Sequence, residues 1–307
     1  MAHQRVLGRT GLQVSEIGLG ALELGRNWRY WDQSGDKAHP DEEEAERLLN
    51  AALDNGCNFI DTAAAYSLSE ERIGKAISHR RHEYVLATKC GEWFTEGQGS
   101  VYDYSASATH AFIDESLRKL RTDHIDLLQI HSGSVEVVQK GETLSAMKEA
   151  QQAGKVRFIG LSCDASAALA AMETGEYDTI QVSYNLLYRE MEKAVFPMAQ
   201  AKNIGVIIKD PLAAGRLLAS PESLPEEQRE PFAQIQRSLT ALVPGDTTIP
   251  TLAALALRFI LSQPAVTTVI AGTRRVEHLL ANLAVADGTG LPQELLVEVR
   301  ERVERNS

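Results

Sequence analysis

Residues 59–66 read FIDTAAAY, which sets an acid and a phenol in one short stretch with only a threonine and three alanines between them. Two more groups able to steer a proton close apolar runs further on. Lys89 ends YVLATK (84–89) and His131 ends IDLLQIH (125–131). A free tyrosine has a pKa near ~10 and is a poor acid at neutral pH. A lysine ammonium a few ångströms away favours the phenolate, so Lys89 is expected to lower the Tyr66 value. Asp61 would hold Lys89 and offset its charge, and His131 would donate or accept a hydrogen bond at the same carbonyl oxygen. Such a set is a general acid for an oxygen on which negative charge grows, the device that carbonyl reduction by hydride transfer needs. Each residue has a plainer reading when taken singly: Asp61 as a turn or cap, Lys89 as a snorkelling charge, His131 as a loop residue before Ser-Gly-Ser. Their shared place at successive run ends argues for one site.

Those runs define the elements that must position the site. Eight short, nearly continuous apolar stretches occur at 15–22, 57–61, 84–89, 125–131, 156–162, 179–184, 204–209 and 267–272. Strands buried on both faces of a parallel sheet read this way. Amphipathic helical segments alternate with them at 42–56, 69–78, 107–120, 143–154, 165–175, 194–203, 252–263 and 275–286. The repeat predicts an α/β fold, a closed (β/α)8 TIM barrel. A doubly wound open sheet is the competitor, but GLGALE (18–23) carries only the first two glycines of its phosphate fingerprint. Residues 6–15 read as an N-terminal hairpin across the barrel floor, and 291–306 as an extra C-terminal helix. Segments 26–40, 91–104 and 211–250 read as loops after the first, third and seventh strands, where barrels place their function. No linker interrupts the chain, so residues 1–307 are expected to form a single domain.

Composition narrows the function classes. The chain has 307 residues, 44% of them apolar, and a net charge of −11 with both signs scattered. No basic stripe points to nucleic acid, and no apolar stretch is long enough to span a membrane. The opening MAHQRVLGRT has no signal-peptide pattern. Cys57, Cys90 and Cys163 form neither a disulfide framework nor a zinc spacing, and no other metal motif occurs. A reducing, cytoplasmic setting is expected.

The sequence resembles the aldo-keto reductase family along nearly its whole length. The matching stretches, in order, are LGRTGLQVSEIGLG, FIDTAAAYSLSEERIGKAI, YVLATKCG, LLQIH, AMKEAQQAGKVRFIGLS, QVSYNLL and VTTVIAGTRRVEHLLANL. The resemblance implies a (β/α)8 barrel that binds NADP(H), with NAD(H) as the less common choice. It implies a catalytic tetrad of Asp61, Tyr66, Lys89 and His131, with Tyr66 as proton donor. It places Gly20 and Ala21 at the cofactor, and Ser162 and Cys163, Gln181, and Lys209, Pro211 and Leu212 at its nicotinamide end. Gly272, Thr273, Arg274, His278 and Asn282 fall at its phosphate and adenosine end, where a helix N-terminus beside an arginine attracts anions. Two positions depart from the family pattern: Cys163 replaces the common Asn, and Lys209 replaces a tyrosine that stacks on the nicotinamide.

The substrate is read only coarsely. Trp28, Tyr30, Trp31, Trp93 and Tyr102 lie in the first and third loops, where aromatic rings would line a pocket for an apolar aldehyde or a sugar, or simply pack the loops. The expected activity is interconversion of a small carbonyl compound, an aldose or sugar derivative among them, with its alcohol. Two rival readings stand beside it: a cofactor-binding regulatory subunit with little turnover, and an unrelated barrel lyase with Lys89 as Schiff-base nucleophile.

Overall fold

A computed structural model describes residues 2–26, 39–95, 97–243 and 249–306. Its centre is a closed barrel of eight parallel strands: Ile17–Gly20, Phe59–Asp61, Val85–Cys90, Ile125–Ile130, Val156–Ser162, Thr179–Ser183, Gly205–Lys209 and Thr268–Gly272. Each pairs with the next in chain order, and the eighth closes on the first with Gly272 opposite Gly20. The doubly wound alternative is thereby excluded.

Alternation along each strand divides two cores. Outward residues such as Ile60, Leu86, Leu128, Ile180 and Val206 pack against the surrounding helices. Inward residues Phe59, Val85, Ala87, Leu127, Ile207 and Ile270 form a separate cluster low in the barrel, joined by Leu7 and Val14. Those last two come from the N-terminal hairpin, Gln4–Val6 paired antiparallel with Gln13–Ser15, which seals the floor as expected. Two residues further along four of these strands the inward positions become polar: Asp61 follows Phe59, Lys89 follows Ala87, Gln129 follows Leu127 and Lys209 follows Ile207. Room inside is limited. A side chain at Gly160 would meet Thr179 Oγ1 at 2.3 Å and Gln129 Cγ at 3.1 Å, so this inward position stays bare.

The helices follow the expected repeat with local capping. Glu42–Asp54 starts on a reciprocal box in which the Glu44 amide donates to Asp41 and the Asp41 amide donates to Glu44. The C-terminal helix Gln293–Asn306 buries Val299 and Val303 and packs on helix Glu226–Thr240. Two segments read as loops contain regular structure. Residues 211–250 hold Glu226–Thr240, a helix whose polar composition hid its narrow buried face of Ala233 and Leu239. Residues 91–104 hold an antiparallel hairpin, Glu92–Thr95 with Gly99–Tyr102. Gly91, at φ 98°, turns the chain into it, a conformation that favours glycine.

Phe59 is fully buried in the floor cluster. Phe59→Ala should lower stability by about 3–5 kcal/mol, read as a fall in the urea midpoint while the far-ultraviolet spectrum of the native state is kept.

Candidate active site

The upper, polar layer of the barrel interior is organised on Asp61. Lys89 Nζ donates to Asp61 Oδ2 at 2.6 Å and to the Thr62 carbonyl at 2.9 Å. Gln129 and Gln181 both donate to Asp61 Oδ1, at 3.1 and 2.8 Å. All four side chains are essentially excluded from solvent. The carboxylate thus has partners on both oxygens, and the lysine charge is neutralised where it stands.

The third donation from Lys89 Nζ, at 3.2 Å, goes to the Tyr66 hydroxyl. Tyr66 closes the short turn Ala64–Tyr66 after the second barrel strand, and the buried alanines before it let the chain pass close to the barrel rim. His131, one residue beyond the fourth barrel strand, lies edge-on to the Tyr66 ring with centroids 5.6 Å apart. Asp61, Tyr66, Lys89 and His131 therefore meet at one end of the barrel, although 70 residues of sequence separate the first from the last.

One electrostatic expectation is overturned. Burial, reinforced by the carboxylates of Asp61, Glu92 and Asp210, raises the Tyr66 phenol well above its ordinary value, against the pull of Arg26. The Asp61 charge that neutralises Lys89 also cancels the lysine's expected lowering of the phenol. Tyr66 is held as the neutral acid. Burial also lowers the His131 imidazole, and Lys89 and Lys209 add to this, with Glu92 opposing. His131 is therefore neutral at pH 7.

Glu92, the first residue of the hairpin, is a site residue that sequence reasoning missed. Its Oε2 lies 2.9 Å from His131 Nδ1. The contact is close but off-line, since Nδ1 has no partner in straight hydrogen-bond geometry. Ser100 Oγ donates to Glu92 Oε1, and Arg26 Nη1 approaches the same oxygen at 3.4 Å. The Arg26 guanidinium also lies 3.5 Å over the Phe94 ring. Burial acts to raise the Glu92 carboxyl, but His131, Ser100 and Arg26 outweigh it and hold it at about 2.

A cleft of about 920 Å³ opens over this set. Tyr66, His131, Glu92 and Arg26 line it at one end, and Thr273, Arg274, Arg275, His278 and Asn282 at the other. Gly20, Ser162, Gln181, Lys209, Pro211, Leu212 and Gly272 line it as well. Ser162 Oγ donates to Gln181 Oε1 at 3.0 Å and receives Lys209 Nζ at 3.2 Å. Ala21 and Cys163 are buried outside the lining, and burial pushes the Cys163 thiol up to about 12, so it stays protonated. The helix expected to open at Gly272–Arg274 begins later, as Val276–Leu283. Thr273 Oγ1 accepts from the Arg275 amide and holds the chain in a turn before it. Among the aromatic candidates, Tyr102 lines the cleft, whereas Trp93 stacks on Phe112 with centroids 4.0 Å apart and serves packing. Trp28, Tyr30 and Trp31 lie outside the described residues. Among the described residues no group of His, Cys, Asp or Glu could hold a metal ion, and no helix is long and apolar enough to cross a membrane.

A model of the aldo/keto reductase family matches residues 16–302. The chain belongs to that family. The aldo-keto reductase AKR11C1 of Bacillus halodurans, in its holo form, superposes with a TM-score of 0.81 at 30% identity, covering 100% of this chain and 97% of that one. The L-galactose dehydrogenase of Arabidopsis thaliana is 31% identical over 317 residues, 98% of this chain and 94% of the relative. The oxidoreductase YqkF of Bacillus subtilis is 30% identical over 301 residues, 95% and 93% of the two chains. This aldo-keto reductase is accordingly an oxidoreductase, of a family that generally uses NAD(P)H on small carbonyl compounds.

The Glu92 geometry carries a prediction for acid stability. A carboxyl held at about 2 in the native state, against an ordinary value of 4.5, stabilises the fold fully above pH 4.5. That contribution, about 3 kcal/mol by linkage, is lost as pH falls through about 2. The difference in urea midpoint between the parent and Glu92→Gln should therefore hold nearly constant down to about pH 5 and shrink from there to pH ~2.5.

Proposed function

We propose that this aldo-keto reductase interconverts a small aldehyde or ketone, sugar-derived carbonyls included, with its alcohol, using NADP(H) and Tyr66 as the proton donor. The observation that carries this reading is the unbroken chain Asp61–Lys89–Tyr66, with contacts of 2.6 and 3.2 Å, ending in a hydroxyl at the wall of the cleft. A protonated phenol is the state needed to give a proton to an oxygen as it becomes an alkoxide. Lys89 donates to the phenol oxygen and is placed to stabilise the phenolate left behind. In the reverse direction the phenolate takes the alcohol proton.

The lining residues fit a dinucleotide. Gly20 and Gly272 lie side by side in the barrel wall, where any side chain would fill the cleft. Thr273, Arg274 and Arg275 gather donors and positive charge before a helix N-terminus, which suits phosphate. Ser162 and Gln181 would hold the carboxamide end, and Arg274 would favour the 2′-phosphate of NADP(H) over NAD(H). When bound, the nicotinamide supplies or accepts the hydride. Lys209 provides no aromatic face there and would sit beside the ring as a charge. The sugar class draws support from the relative named for L-galactose. The lyase alternative is disfavoured by Lys89 itself, which is buried and spends its donors on Asp61, Thr62 and Tyr66.

Two substitutions test this reading. Tyr66→Phe should cut NADPH-dependent aldehyde reduction by about 10²–10⁴-fold, with the dissociation constant for NADPH nearly unchanged by fluorescence titration. Activity equal to the parent's would sink the assignment. Arg274→Ala should weaken NADPH binding about tenfold or more and NADH binding little. An equal loss for both nucleotides would remove Arg274 from 2′-phosphate recognition.

A further inference from the structure

Two ammonium groups reach the barrel rim, and they differ in one respect. Lys89 is neutralised by Asp61. Lys209 ends the seventh barrel strand, lines the cleft and forms no ion pair among the described residues. Its Nζ makes one hydrogen bond, to Ser162 Oγ at 3.2 Å. The carboxylates near it are engaged elsewhere. Asp210, the next residue, accepts from Ser183 Oγ at 2.6 Å. Asp164 caps the helix Ala165–Thr174, accepting from the Ala167 amide at 2.9 Å and from Ser166 Oγ at 2.8 Å. Lys209 therefore brings an unpaired positive charge to the cleft. Its field reaches the site, where it acts to lower both the His131 imidazole and the Cys163 thiol.

A line of hydrogen bonds across the barrel mouth fixes the place of this charge. Gln181 gives Nε2 to Asp61 Oδ1 at 2.8 Å, which turns its Oε1 to Ser162. Ser162 must then donate to Gln181 at 3.0 Å, so toward Lys209 and the cleft it can only accept. Lys209, Ser162, Gln181, Asp61, Lys89 and Tyr66 thus form one sequence of contacts, with the unpaired ammonium at one end and the phenol at the other.

Carbonyl reduction moves a hydride to the carbonyl carbon and a proton from Tyr66 to its oxygen. The nicotinamide that has given up the hydride carries one positive charge more than before. On the reductase reading above, which puts that ring at the Tyr66 end of the cleft, we infer that Lys209 discriminates between the redox states of the cofactor: its ammonium repels the oxidised, cationic ring and leaves the reduced, neutral ring unopposed. The site then holds NADPH more tightly than NADP⁺. Like charges a few ångströms apart in a half-buried site change a binding constant by about one to two orders of magnitude. In the alcohol-forming direction the repulsion hastens departure of the spent nucleotide. In the reverse direction it makes the bound cation a stronger hydride acceptor. The overall equilibrium is untouched, because the protein ends each cycle as it began.

The test reads binding rather than turnover. The full chain is titrated calorimetrically at neutral pH with NADPH, NADP⁺ and 2′-phospho-ADP-ribose, which keeps the phosphates and lacks the nicotinamide. The parent should bind NADPH about tenfold or more tighter than NADP⁺. In Lys209→Met and Lys209→Gln that ratio should fall about tenfold, chiefly through tighter NADP⁺, while Lys209→Arg keeps it. The nucleotide without the ring should bind all four proteins alike. A parent ratio near one overturns the inference with no variant needed. A ratio unchanged in Lys209→Met overturns it, as does an equal fall in Lys209→Arg. Equal weakening of all three nucleotides in Lys209→Met would put Lys209 on the phosphates and overturn it too. Each of these results leaves the reductase reading intact, whereas a parent that binds neither NADPH nor NADP⁺ overturns both.

Discussion

Everything at the top of the barrel depends on burying one positive charge. Lys89 is among the largest side chains fully removed from solvent, and an ammonium so placed costs several kcal/mol unless it is paired and its protons are used. Asp61 supplies the opposite charge and the Thr62 carbonyl a second acceptor, which leaves the Tyr66 hydroxyl as the third. Gln129 and Gln181 occupy the other Asp61 oxygen, so the carboxylate cannot turn away from the lysine without leaving buried amides unmatched. The direction of the Lys89–Tyr66 contact is therefore set from below, by Asp61 and the two glutamines that hold it.

The strands make this possible through one change of character along their length. The inward face begins with Phe59, Ala87, Leu127 and Ile207, packed against Leu7 and Val14 of the hairpin. Two residues later it carries Asp61, Lys89, Gln129 and Lys209. Because strand positions two apart face the same way, a dry floor and a polar rim are built from the same eight segments with no change of backbone. The floor provides the rigidity and the rim the chemistry. At the rim, Lys89, Gln129 and Gln181 all donate to Asp61.

Much of this was legible in the sequence, for a physical reason. Buried parallel strands must be apolar, so an Asp, Lys or His that closes such a run stands out, and Asp61, Lys89 and His131 were found that way. Tyr66 followed from its nearness to Asp61. Glu92 was not found, because GEW after YVLATKC reads as the start of a polar loop, and only the hairpin turned by Gly91 brings it back to His131. Gln129 and Gln181 were visible as polar interruptions of LLQIH and TIQVSY. Gln129 was passed over and Gln181 taken for a cofactor contact, since nothing in a one-dimensional reading says that both converge on Asp61. The expected lowering of the Tyr66 phenol failed because it counted the lysine and neither the burial of the phenol nor the three carboxylates nearby. Helix Glu226–Thr240 escaped notice because its composition is that of a solvated loop.

The hairpin after the third barrel strand joins two duties in ten or so residues. Tyr102 at one end of it forms part of the cleft wall, while Glu92 at the other grips the imidazole, with Arg26 and Ser100 bracing the grip. Any lengthening or shortening of this segment to accommodate a bulkier guest would move the carboxylate beside the histidine at the same stroke. The shape of the cleft wall and the charge next to His131 are thus mechanically linked in this scaffold.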